Sequence, residues 1–195
     1  TRGFAIRVKT LRNVYIDGET FDATVSVTDP AGESVGTDLK LEVLERTLVN
    51  GKRGERLVET FEVNSDKDSG EARRTIRIDK AGQYILRATG TDQFGNNLSG
   101  SHSVSISGDD DRIRLRLLAD KHQYKVGDKA EIKLHWREAP ALALVTYEGA
   151  SILGYQLVPL KKGSNKLTVP MASKLAPNFN LSLIHISEPT RRVFI

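Results

Sequence analysis

The chain has no cysteine, one methionine and one tryptophan, and only 6% of its 195 residues are aromatic. Without cysteine there is no disulfide, no thiolate-bound zinc and no thiol nucleophile. The same absence leaves the redox compartment open. No apolar run approaches the roughly 20 residues of a membrane-spanning helix, so a direct membrane span of that kind is excluded. Six prolines and 16 glycines are too few for a collagen-like or low-complexity chain. What is present is ordinary: 38% hydrophobic and 28% charged residues, enough apolar material to exclude wholesale disorder. The length suits one large domain or two of about 100 residues. The start, Thr1-Arg2-Gly3-Phe4, shows neither an initiator methionine nor a signal peptide and reads as a cut from something longer.

The net charge of +4 is unevenly spread. Residues 1–107 carry 15 basic and 16 acidic side chains, residues 108–111 three aspartates, and residues 112–180 twelve basic against five acidic. The basic character therefore belongs to the third block. The acidic tripeptide, Asp109 to Asp111, reads as a solvated linker, with too few oxygen ligands for a calcium site.

Apolar residues alternate with polar ones through most of the chain. Ile6 and Val8, Phe21 to Val27, Leu39 to Val43, Leu57 with Phe61 and Val63, Ile76 and Ile78, Tyr84 to Ala88, and Val104 with Ile106 each follow a period of two. Such runs mark half-buried strands. Between them stand turn-forming pairs such as Asp17-Gly18, Asn50-Gly51 and Ala81-Gly82. Asn64 to Gly70 reads as a hairpin loop. No segment has a helical period. Seven short strands in residues 1–107 predict an immunoglobulin-like sandwich.

After the linker the pattern begins again. Ile113, Leu115 and Leu117 alternate with Arg112, Arg114 and Arg116. Then Tyr124-Lys-Val-Gly127-Asp128 matches Tyr15-Ile-Asp-Gly18-Glu19, in each case ahead of an alternating strand and 109 residues apart. This Tyr-x-x-Gly-acid element is an internal repeat of one domain length. Tyr15, Gly18, Tyr124 and Gly127 are expected to be structural repeat residues, the glycines in turn conformations that other residues adopt at a cost. About five strands follow residue 112 before Asn180, two fewer than in the first block. The expected fold is all-β: tandem antiparallel immunoglobulin/fibronectin-like sandwiches over residues 1–107 and 112–180, the second truncated.

Residues 181–195 stand apart. Leu181 to Arg191 resembles a translated sequencing adaptor of the kind carried into metagenomic genes, and Arg192 to Ile195 would be read-through. The rival reading is a genuine strand from Leu181 to Ile186, where a strand is due. The tail is set aside as artefactual, so His185 and Glu188 are not enlisted in any site.

Enzyme chemistry finds little footing. His102, His122 and His135 are not spaced as metal ligands, and no H-E-x-x-H, G-x-S-x-G, P-loop or G-x-G-x-x-G occurs. No catalytic, metal or cofactor residue is assigned, and the chain is expected not to be an enzyme. A basic stripe of Arg112, Arg114 and Arg116, with Lys129, Lys133 and Arg137 near it, could follow a phosphate backbone. Interleaved aromatics and a module signature are both lacking, so no nucleic-acid partner is expected.

A family pattern emerges from the second block. Asp120-Lys121, Tyr124, Gly127-Asp128, the strand Leu144-Val145-Thr146, Gly154-Tyr155 and Ala176-Pro177-Asn178 occur in order. Together they resemble the bacterial α2-macroglobulin-like proteins, at the opening of the macroglobulin-like domain just before the bait region. Residues 1–107 resemble a preceding domain of that kind through Tyr15, Gly18-Glu19 and Gly82-Gln83-Tyr84. The resemblance implies a protease trap: a protease cuts a bait loop, a ring of sandwiches rearranges, and in members that carry one a thioester built from a cysteine and a glutamine captures it. With no cysteine here and the bait placed after Asn180, the implied role is scaffold. The implied partners are neighbouring domains of the same longer chain and, through other parts, target proteases. The implied location is periplasmic or extracellular, with an N-terminal anchor possible ahead of Thr1. The alternative is an immunoglobulin-like array of a bacterial surface adhesin or carbohydrate-associated protein.

Overall fold

The computed structural model describes residues 3–49, 51–108, 112–121 and 123–186. The chain divides into two compact units, residues 1–110 and 111–195. The aspartates of the expected linker, and His122, lie outside the described residues.

The first unit contains eight strands: β1 (Ala5–Thr10), β2 (Val14–Ile16), β3 (Thr20–Thr28), β4 (Asp38–Val49), β5 (Lys52–Asn64), β6 (Glu71–Arg77), β7 (Gly82–Thr91) and β8 (Asn97–Ser107). They form a three-stranded sheet, β1-β3-β6, and a five-stranded sheet, β2-β8-β7-β4-β5. The alternation decides which face is buried. In β3, Phe21, Ala23, Val25 and Val27 point inward. Leu39, Leu41 and Val43 of β4, Tyr84, Leu86 and Ala88 of β7, and Val104 and Ile106 of β8 meet them from the other sheet. Each fully buried Leu or Val side chain contributes about 1.5–3 kcal/mol relative to exposure. The register is fixed by the same pattern, because a one-residue slip would turn every inward side chain to water.

Two features differ from the sequence expectation. The short strand β2 pairs in parallel with β8, Tyr15 opposite Ile106, so one ladder of the sandwich is not antiparallel. Three residues are too few to show a period. Second, Asn64 to Gly70 is not a hairpin loop, since β5 and β6 belong to different sheets. It is a crossover. Asp66 holds it by accepting from the backbone N–H of Asp68 and Ser69. Ser65, fully buried, donates to the Val35 carbonyl and accepts from Thr37 N–H.

The second unit contains β9 (Leu115–Ala119), β10 (Lys129–Trp136), β11 (Ala141–Glu148), β12 (Ile152–Leu160), β13 (Gly163–Pro170), a 3-10 turn (Ser173–Leu175) and β14 (Asn180–Ile186). Its sheets are β13-β10-β9 and β12-β11-β14. Ala130, Ile132, Leu134 and Trp136 of β10 pack with Leu167 and Val169 of β13, Ala143 and Val145 of β11, and Leu160 of β12. Trp136 Nε1 donates to the Ala139 carbonyl at 2.7 Å, which satisfies its one polar atom. The strand orders repeat those of the first unit: β9, β10 and β13 take the places of β1, β3 and β6, and β12, β11 and β14 those of β5, β4 and β7.

β14 bears on the reading of the tail. From Asn180 to Ile186 it pairs with β11 without a break, Leu142 opposite Ile186 and Glu148 opposite Asn180. Leu181 and Leu183 pack partly into the core. Alternating apolar residues suffice to fill an open ladder, so the pairing speaks for pattern and not for where the codons came from. Residues 187–195 lie outside the described residues.

Candidate functional site: the two tyrosine turns

In the first unit the chain leaves β1 and reaches Tyr15 on β2. The Tyr15 ring is 1% exposed and stacks on Phe21 with centroids 4.0 Å apart. Its hydroxyl accepts a hydrogen bond from Arg12 N–H at 2.9 Å. The Arg12 guanidinium lies over the same ring, 4.7 Å from its centroid, and pairs with Glu19 at 2.6 Å. Glu19 also accepts from Ile16 N–H at 3.1 Å, while its own N–H donates to the Ile16 carbonyl. Gly18, at φ 72°, takes the third place of this turn, where positive φ is required of a type II turn.

The second unit repeats the arrangement atom for atom at three points. Tyr124 Oη accepts from Lys121 N–H at 3.1 Å, Asp128 Oδ2 accepts from Lys125 N–H at 2.9 Å, and Gly127 has φ 97°. In both copies the glycine N–H donates across to the other strand of its sheet's end: Gly18 to the Ile78 carbonyl, Gly127 to that of Met171. The tyrosine therefore ties the turn to the residue three before it, and the acid ties it to the residue just after the tyrosine. A tyrosine hydroxyl bonded back to upstream backbone is a recurrent sandwich device. Tyr124 adds one bond of its own, donating to Asp120. That bond is the main cause holding the Asp120 carboxyl below its ordinary range, while burial, helped by Asp120, pushes the Tyr124 phenol up.

The four expected repeat residues thus fall into two pairs, one in each unit. The glycines were legible from turn chemistry. The carboxylate's task and Arg12's were not read from sequence, although an acid one residue after a turn glycine, four after a tyrosine, was the available signal.

The other candidate residues lie elsewhere in the fold. His102 Nε2 lies 3.0 Å from Thr10 Oγ1, and that hydroxyl donates to the Arg12 carbonyl at 2.6 Å. His135 sits in β10 opposite Arg116 and Ser164. The arginine stripe is corrected: β9 begins at Leu115, so of Arg112, Arg114 and Arg116 only the last lies on a strand. Arg114 pairs with Glu138 at 3.0 Å, and Arg137 is buried and donates to the Ile113 carbonyl. Among the described residues, no three His, Asp or Glu side chains converge as a metal-ligand set, and no helix is long and apolar enough to cross a membrane.

Residues 115–194 match the family model of the alpha-2-macroglobulin bait region domain. The sequence pattern had placed this stretch just before the bait region; the matched family carries the bait region in its name. No curated protein matches the chain. Among solved structures, native Escherichia coli alpha-2-macroglobulin is 11% identical at a TM-score of 0.38, over 90% of this chain and 13% of that one. The trypsin-activated form is 13% identical at 0.43, over 95% of this chain and 15% of that one. The chain thus spans about one seventh of those proteins. A sporulation control protein of Bacillus subtilis, 9% identical, scores 0.40 over 95% of this chain and 91% of its own. The relationship rests accordingly on the match over residues 115–194, and the adhesin alternative is not favoured by it. Over residues 115–194 the chain is similar to the bait region domain of the alpha-2-macroglobulins.

Proposed function

We propose that this chain is a scaffold portion of an alpha-2-macroglobulin-like endopeptidase inhibitor, a non-catalytic piece of a protease trap. The observation that carries this reading is the family match over residues 115–194. Two things support the scaffold role in particular. The repeat tyrosines and acids each bond to the backbone of their own turns, which suits a structural task. The thioester of the family needs a cysteine, and this chain has none. Bait cleavage and capture would then belong to other parts of the longer protein, with target proteases meeting those parts. A rigid sandwich suits a scaffold, because packed sheets pass on a displacement as a body instead of deforming. On this reading the whole protein works in the periplasm or outside the cell.

The test is direct. Trypsin incubated with this chain should keep its activity on both a protein and a small chromogenic substrate, while the two sandwiches resist cleavage. Inhibition by this chain alone would contradict the scaffold reading.

A further inference from the structure

The outer face of the first unit's five-stranded sheet carries opposite charge at its two ends. Along β4, Lys40, Glu42, Leu44, Arg46 and Leu48 alternate with the residues that face the core. The register sets Glu62, Thr60, Leu57, Glu55 and Arg53 of β5 beside them in turn. Val58 is passed over by a bulge, so Leu57 and Thr60 share this face. Arg87, Ile85 and Gln83 of β7 flank Glu42, Leu44 and Arg46 on the other side. One line across the strands is therefore apolar: Leu57, Leu44 and Ile85. Leu44 and Ile85 are buried although they lie outside the core cluster, and Leu57 is 54% exposed.

The charges divide about that line. On the hairpin side stand Arg46 and Arg53, both exposed, and among the described residues neither has an ion pair. With Leu48 and Gln83 they line a groove of about 650 Å³. Glu55 beside them is engaged by Arg87 at 2.7 Å. On the far side Asp38, Glu42 and Glu62 line a second groove, of about 740 Å³. Lys40 in that groove pairs with Glu42 at 2.7 Å. One end is thus basic and the other acidic.

We propose that this face binds the same face of a second copy of the chain. The two copies stack about a two-fold axis that runs across the strands along the apolar line. The axis reverses the strand direction and keeps β4 over β4. Arg46 then faces the partner's Glu42, and Arg53 the partner's Glu62, because the members of each pair stand equally far from the line. Leu44, Leu57 and Ile85 meet their own copies. Stacked sheets lie about 10 Å apart, within reach of opposed arginine and glutamate side chains. The occupant is a second copy because the charges oppose one another across the face's own midline. A uniformly acidic or basic surface would match one end and be repelled by the other. By strand rise and spacing the face measures roughly 30 by 19 Å, short of the ~800 Å² per partner of a stable complex, so the dimer is weak and reversible. It is independent of the protease-trap reading.

Charge reversal tests this in the full chain by sedimentation velocity, at low salt and up to about 0.5 mM, where a weak dimer is populated. The unaltered chain should pass reversibly from monomer to dimer and stop there. Arg53→Glu sets like charge against the partner's Glu62, and Glu62→Arg sets like charge against the partner's Arg53. Each variant alone should associate about tenfold more weakly, or less still. Mixed in equal amounts, the two should regain the association of the unaltered chain, since every contact between positions 53 and 62 in the mixed dimer again joins opposite charges. A chain that stays monomeric, or that grows past the dimer without a plateau, would overturn the proposal. So would variants that associate like the unaltered chain, or a mixture no better than either variant alone, because neither is compatible with position 53 meeting position 62.

Discussion

Tyr15 and Tyr124 show what a single hydroxyl does in a turn. Tyr15→Phe leaves the Arg12 N–H beside a buried ring with no acceptor, and should cost the first unit about 1–3 kcal/mol in denaturant unfolding. Tyr124→Phe, at a half-buried site, should cost about 1 kcal/mol in the second. Gly18→Ala separates conformation from packing. A Cβ there would meet nothing closer than 3.4 Å, so the expected loss of about 1–2 kcal/mol is that of the left-handed backbone alone. The glycines could be read from sequence because positive φ has few occupants. The task of the hydroxyl could not, because a tyrosine in an alternating run looks like any other core residue. Asp92 is a third case. Burial pushes its carboxyl up, but the Asn96 side chain and the N–H groups of Gly3, Asn96 and Phe94 outweigh this and bring it from 3.8 to about 2. A lowered folded value means stability that is present above pH 3.8 and lost as the pH falls through about 2. Asp92→Asn should flatten the first unit's pH dependence over that window; an unchanged profile would show that these bonds do not favour the ionised form.

At the scale of elements, alternation revealed every long strand and missed the short one. β2 is held by β8 and not by its own pattern, and its counterpart in the second unit, with no such neighbour among the described residues, is not a strand. Sheet order could not be read for the same reason: Asn64 to Gly70 has the composition of a hairpin loop, and only packing sends β6 to the other sheet. The tail is the sharpest instance. Leu181 to Ile186 reads as foreign by its string and as a strand by its alternation, and it pairs with β11 from Leu142 to Tyr147. Ending the chain at Asn180 removes β14 and opens that edge. The second unit should then lose cooperative unfolding or melt several degrees lower, and the first unit's transition should not move. An unchanged second transition would show that β14 contributes nothing to the fold.

For the molecule as a whole, two cores imply two unfolding events. The first gathers 19 buried hydrophobic residues and the second 11, so the first unit should melt at the higher temperature. Calorimetry should show two transitions, and residues 1–110 expressed alone should reproduce the upper one; a single transition lost on separating the units would contradict their independence. The turns that repeat 109 residues apart are built into these folds. What joins them to a function is the family match in the second unit. The most direct measurement is to read the source locus past codon 180. The account predicts a frame that runs on into a variable, protease-sensitive segment and then into the later domains of an alpha-2-macroglobulin-like protein. A frame that continues as further sandwich repeats would contradict it.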